Sequence, residues 1–178
     1  MNVDLVIRPE RPADHRPVGE LLDAAFEPPA GARHAVERTL VDALRRDGDV
    51  LPALSFVAEL DGEVVGGVVC SRATMGQGRS VGLGPLAVAP EHQRQGIGAA
   101  LLAAVIATAD QQAEPTIVLL GDPDYYGHFG FEPAADHGIA SPGPWADRFF
   151  QVKRLRAWSP GLAGPFRYAP AFDRVDGG

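Results

Sequence analysis

The sequence predicts an α+β protein, a mixed β-sheet with helices on its faces. Short β-rich runs and helical periodicities follow the order strand, helix, helix, hairpin, strand, helix, strand, helix, strand, which suits a sheet covered by helices. Asp61-Gly62 stands between two β-rich runs and marks a tight antiparallel hairpin, because both turn positions need positive φ. The 178 residues, with 46% hydrophobic and 22% charged, suit one globular domain with a real core rather than a disordered chain. The expectation is a single domain over residues 1–178, with a core over 3–134 and an irregular C-terminal extension over 135–178.

The first strand is expected from Val3 to Arg8, β-branched and closed by Pro9. After Asp14, the spacing of Val18, Leu21, Leu22, Ala25 and Phe26 predicts a helix face that Pro28-Pro29 ends. A second helix is expected from Ala32 to Arg46, with Val36, Leu40, Val41 and Leu44 on one side and Gly48 as its left-handed cap. Leu54–Leu60 and Glu63–Cys70 form the hairpin strands. Gly76–Gly82 reads as a polar, glycine-rich loop. Leu83–Val88 is a strand interrupted by Gly84-Pro85, and proline there marks an edge, a bulge or a local splay. Gln95–Asp110 is the best helix of the chain. Thr116–Leu120 is a strand buried on both faces. Pro123–Phe129 is a short helix stopped by Gly130. Beyond Ala134, only Phe149–Leu155 and, more weakly, Phe166–Ala169 read as strands.

Composition excludes several function classes. Lys+Arg total 16 against 23 Asp+Glu, a net charge of -7, which disfavours nonspecific nucleic-acid binding and docking on anionic lipid. Lys153 is the only lysine, so no P-loop is present. The lone Cys70 excludes an internal disulfide, suits a reducing cytoplasm and reads as a small core residue. The five histidines show no ligand spacing, so no metal is expected. No stretch has signal-peptide or membrane-span character. The expectation is a cytoplasmic protein with no membrane or nucleic-acid partner.

The stretch that carries chemistry runs from Leu86 to Leu102. A strand ends, a short loop turns, and a helix opens behind Gln93-Arg94-Gln95-Gly96-Ile97-Gly98-Ala99. The first N–H groups of a helix lack internal partners and sit at the positive end of its dipole. Gly96 and Gly98 let a ligand approach that backbone closely. This points to a phosphate or pyrophosphate. A dinucleotide fingerprint would need a third glycine at position 101, which is Leu101.

Gln93-x-x-Gly96-x-Gly98, after the Leu86-Ala87-Val88 strand and before an amphipathic helix, resembles motif A of the GCN5-related N-acetyltransferase (GNAT) family. Leu119 to Phe131, ending Tyr126-x-x-x-Gly130-Phe131, resembles that family's motif B. The tail Tyr168-Ala169-Pro170-Ala171-Phe172 looks like a bacterial subfamily of acetyltransferases. The resemblance implies the GNAT fold: a mostly antiparallel sheet of six to seven strands, splayed between strands 4 and 5, with about four helices. It implies acetyl-CoA as co-substrate, with pantetheine paired along Leu86, Ala87 and Val88. The pyrophosphate would lie on the N–H groups from Arg94 through Gln95, Gly96, Ile97 and Gly98 to Ala99, with Gln93 nearby. Arg94 is the one basic residue of motif A for the 3′-phosphate.

The implied reaction is direct acetyl transfer to a primary amine of a small molecule or peptide. The resemblance makes Tyr126 the proton donor to the departing thiolate and Tyr125 a core or pocket-wall residue. The base is open among Asp122, Glu27, His128 and water, although Asp122 before Pro123 reads first as a helix cap. Two rival readings stay open: a non-catalytic acyl-CoA-binding or regulatory module on the same fold, and generic nucleotide binding. A homodimer is also open, with nothing to fix an interface.

Overall fold

Strands are laid down beside one another nearly in chain order. In the computed structural model, which describes residues 5–175, β1 (Leu5–Pro9) pairs antiparallel with β2 (Phe56–Leu60). β2 pairs with β3 (Glu63–Met75), and β3 with β4 (Gly78–Val88), both antiparallel. β4 meets β5 (Thr116–Leu120) in parallel. β6 (Glu132–Pro133) and β7 (Phe150–Arg154) are antiparallel to each other, and β7 also lines β5. The pair β8 (Phe166–Arg167) joins the far end of β3. Val3 and Asp4 of the expected first strand lie outside the described residues.

Among the described residues, five helices accompany the sheet: α1 (His15–Ala25), α2 (Val36–Asp47), α3 (Ile97–Gln111), α4 (Pro123–Tyr126) and α5 (Ala171–Val175). Alternate strand residues face opposite sides. Phe56, Ala58, Val68 and Cys70 pack under α3 with Leu101, Leu102 and Val105. Val57, Val69 and Ala87 pack under α1 with Val18, Leu21 and Leu22. Gly66 lets α3 sit close, since a β-carbon there would lie 3.0 Å from Ile97 and 3.1 Å from Leu101. The residues after 134 contribute Phe150, Val152 and Phe166 to a further cluster with Met75 and Val118.

Several expectations are corrected. The described sheet has eight strands rather than six to seven, and five helices stand among the described residues where about four were expected. Two of these strands are residue pairs and α5 is a five-residue helix, all too short to show a period. Gly76–Gly82 is not a loop: only Gly76 and Gln77 turn, and β4 begins at Gly78. Its polar residues are tolerated in the interior because they are paired; the buried Ser80 hydroxyl lies 2.8 Å from that of Thr116. α2 starts at Val36 rather than Ala32, because the Asp23 carboxylate takes the Ala35 N–H (2.8 Å). α3 starts at Ile97 rather than Gln95, because Gly96 is left-handed at φ 85°. The hairpin turn is as expected, with Asp61 and Gly62 both at positive φ.

One irregularity positions the site. β4 and β5 pair only at Val81–Ile117 and Gly82–Val118, then part. On its other edge β4 carries a bulge, since Val68 faces Leu86 while Cys70 faces Leu83. The extra residue falls at Gly84-Pro85, where the strand leaves regular pairing. No helix among the described residues is long and apolar enough to cross a membrane.

Candidate active site

The parting of β4 from β5 leaves a cavity of about 320 Å³ beside α3, lined by Leu86, Val88, Gln93, Arg94, Gly98 and Tyr125, together with Gly96 and Ala99. Seven of these eight residues belong to the Leu86–Leu102 stretch singled out in the sequence. Side-chain alternation along β4 turns Leu86 and Val88 toward this cleft and Ala87 into the α1 face. Ile97 is 4% exposed, so only its backbone can serve the cleft.

The loop is shaped to leave donors free. Arg94 and Gly96 both take left-handed φ, 59° and 85°. Ala100 N–H donates to the Gly96 carbonyl (3.0 Å) as the first bond of the helix. The N–H groups of Ile97, Gly98 and Ala99 therefore have no intrahelical partner, and no side chain caps this end. Gln93 Nε2 donates to the Val88 carbonyl (3.1 Å) and Gln95 Nε2 to the Glu91 carbonyl (3.2 Å). Both glutamines thus brace the loop from within.

The two tyrosines at α4 are separated by the structure. Tyr125 is 39% exposed and lines the cleft against Gly98. Tyr126 packs against the α3-side core, edge-on to Tyr125 (5.0 Å between centroids) and Phe131 (5.8 Å). Its ring occupies space vacated by Gly121, where a β-carbon would fall 2.4 Å from Cε2. Burial first, then the neighbouring Tyr125, pushes the Tyr126 hydroxyl up to about 12. Burial also raises Tyr125. Both phenols stay protonated at neutral pH and remain able to donate.

Asp122 caps α4, its Oδ1 accepting from Asp124 N–H (2.9 Å). Glu27 and His128 are exposed. Lys153, the only lysine, donates from Nζ to the Phe129 carbonyl (2.7 Å) and closes the turn after α4. Cys70 is fully buried, and burial raises its thiol, so it is a core residue as expected. Among the described residues no group of three or more His, Cys, Asp or Glu is placed to hold a metal ion.

Residues 52–133 match the model of the acetyltransferase (GNAT) domain. The chain is 35% identical over 175 residues to the uncharacterized N-acetyltransferase YhbS of Escherichia coli K12, covering 96% of this chain and 99% of that protein. The chain belongs to the GNAT family of acetyltransferases. Among solved structures, the crystal structure of Escherichia coli YhbS in complex with CoA superimposes with a TM-score of 0.88 at 32% identity, over 98% of this chain and 94% of that one. A GNAT family acetyltransferase from Brucella melitensis in complex with acetyl-CoA gives a TM-score of 0.77 at 33% identity, over 97% and 100% of the two chains. The mixed sheet parted between β4 and β5 is the GNAT fold.

GNAT motif spacing did not point to a second cavity, of about 220 Å³, at the start of the same splay. Leu83, Gly84 and Leu120 form its strand side, and Glu37, Trp145 and Tyr168 are among the residues that close it. Glu37 carried no sequence signal, because the helical period marks only the buried stripe of α2. The dense aromatics of the tail were the one available hint.

Proposed function

We propose that this GNAT chain binds acetyl-CoA and transfers its acetyl group directly to a primary amine of a small molecule or peptide. The observation that carries the reading is the splay. β4 is paired with β5 at only two positions, and beyond them Leu86 and Val88 line a cleft that ends on the unpartnered N–H groups of α3. An extended pantetheine arm suits the free edge of β4, because a ligand that pairs with an open strand edge supplies the missing ladder bonds. A pyrophosphate suits the N–H groups from Arg94 to Ala99, with the helix dipole behind them. The relatives that hold CoA and acetyl-CoA support the same ligand here.

In this reaction the neutral amine attacks the thioester carbonyl. The C–N bond forms, the C–S bond breaks, and the sulfur leaves as a thiolate that takes up a proton. Tyr126 is the proposed donor of that proton, being protonated and seated beside the splay. One observation favours a second assignment: it is Tyr125 that lines the cleft. The amine must lose its own proton before attack, and with Asp122 engaged as a cap, water is the simplest acceptor in the cleft. A reducing cytoplasm, suited to a free buried thiol, is where this reading places the protein.

The test is calorimetric titration with acetyl-CoA, followed by thiol release with an amine panel. Binding and amine-dependent thiol release are expected. Failure to bind CoA at millimolar concentration overturns the reading.

A further inference from the structure

We infer that the second cavity is the acceptor site and takes a primary amine carried on a small aromatic body, the Glu37 carboxylate accepting the hydrogen bonds of its ammonium until that ammonium gives its proton to water and attacks as the neutral amine. The inference rests on the transfer reading above and adds the chemical class of acceptor.

Position comes first. Leu83 and Gly84 line this cavity and Leu86, two residues further along β4, lines the cofactor cleft. A strand advances about 3.3 Å per residue, so the two cavities flank one short segment of the same strand. An acceptor held in one can meet a thioester held in the other at the point where β4 and β5 part.

Charge comes second. Among the described residues, Glu37 is the only charged one lining the cavity. No hydrogen bond or ion pair engages its carboxylate among the described residues. The nearby basic residue Arg38 is turned to Asp23 instead. An unpartnered carboxylate in an otherwise apolar wall is matched by a cation and opposes an anion. The net charge of -7 acts in the same direction.

The walls come third. Tyr168 stacks on Phe172 with centroids 4.3 Å apart and 20° between planes, and Phe166 buttresses Tyr168 edge-on at 4.7 Å. Tyr168 is pressed to the point of divergence, since a β-carbon on Gly82 would lie 3.2 Å from its Cδ1. Aromatic walls beside a carboxylate suit an amine with an aromatic body, whose ring packs on the walls while its ammonium meets the charge. Val36 (39%) and Leu120 (42%) are two of the few large apolar residues left exposed, and both line this cavity. At about 220 Å³ the space is below that of a drug-sized ligand and suits a single ring.

The experiment uses the full chain with acetyl-CoA, and 2-phenylethylamine as probe against ethanolamine as comparator. Higher kcat/KM for 2-phenylethylamine is expected. Glu37→Gln is expected to raise its KM about tenfold or more, with CoA affinity unchanged and partial recovery in Glu37→Asp. Val36→Lys, a second variant at an exposed position, is expected to raise KM likewise; thermal melts check that both variants fold. If the wild type acetylates amines and neither variant shifts KM, the cavity is not the acceptor site and the transfer reading stands. If CoA does not bind, the transfer reading falls on its own. Calorimetry of 2-phenylethylamine without cofactor then decides the cavity: binding that Glu37→Gln weakens supports it, and absent or unaltered binding overturns it.

Discussion

The hydroxyl of Tyr125 lies 3.1 Å from where a β-carbon on Gly98 would stand. The second residue of α3 is thus kept without a side chain at the place where a cleft-wall phenol meets unpartnered helix N–H groups. Gly98→Ala adds that carbon without needing a forbidden φ. We expect CoA affinity to fall about tenfold, roughly 1.4 kcal/mol, as the tyrosine and the ligand are pushed aside. Stability is expected to hold or rise slightly, since alanine favours a helix over glycine by up to about 1 kcal/mol. Titration calorimetry and a thermal melt separate the two effects.

Tyr126→Phe and Tyr125→Phe divide the proton-donor role. We expect Tyr126→Phe to lower kcat about 100-fold with little change in CoA affinity. A loss confined to Tyr125→Phe would move the role to the cleft wall. Steady-state rates and calorimetry on both variants give the answer.

Tyr126 also makes stability depend on alkaline pH. Its folded value, about 12, lies above the ordinary tyrosine value near 10, so the folded state holds its proton more tightly. The contribution is fully present below pH 10 and is lost as pH rises through 12. The Cys70 thiol, raised by burial, acts with the same sign. Urea unfolding at pH 9 and pH 11 is expected to show a fall that is shallower in Tyr126→Phe.

Asp122 is expected to matter for folding rather than for chemistry. Asp122→Ala removes the bond from Asp124 N–H and is expected to lower stability by about 1 kcal/mol. Asp122→Asn, which still caps, is expected to restore it, with kcat at the wild-type value in both. A large kcat loss in Asp122→Asn would instead make this carboxylate the base.

Among the described residues, Arg94 is the one basic residue lining the cleft beside α3. Arg94→Ala is expected to weaken CoA binding roughly fivefold, in keeping with an exposed ion pair, and to leave 3′-dephospho-CoA unaffected. Equal losses for both ligands would mean that Arg94 shapes the loop instead of meeting the 3′-phosphate.

Legibility followed the range of the interactions. β5 runs over the residues expected of it, and the glycine-bearing loop opens α3 as read, because both are written in contiguous residues. Gly84-Pro85 signalled the bulge through the donor that proline lacks. The first half of β4 was missed because its glycines and serine look like a turn, and only Thr116, 36 residues on, shows why Ser80 is inside. The second cavity was missed for the same reason on a larger scale. Glu37, Trp145 and Tyr168 meet across more than a hundred residues, and no local period encodes that meeting.

Lys153 closes the turn after α4 through its bond to the Phe129 carbonyl, and it is the only lysine in the chain. Thioesters acylate exposed amines without any catalyst, so a protein proposed to hold acetyl-CoA is exposed to damage from its own reagent. Here the other basic side chains are arginine and histidine, and the one ε-amine is tied to backbone. The side chains thereby offer a single amine to self-acetylation, so their charge would change by at most one unit however long the protein is left with the activated donor.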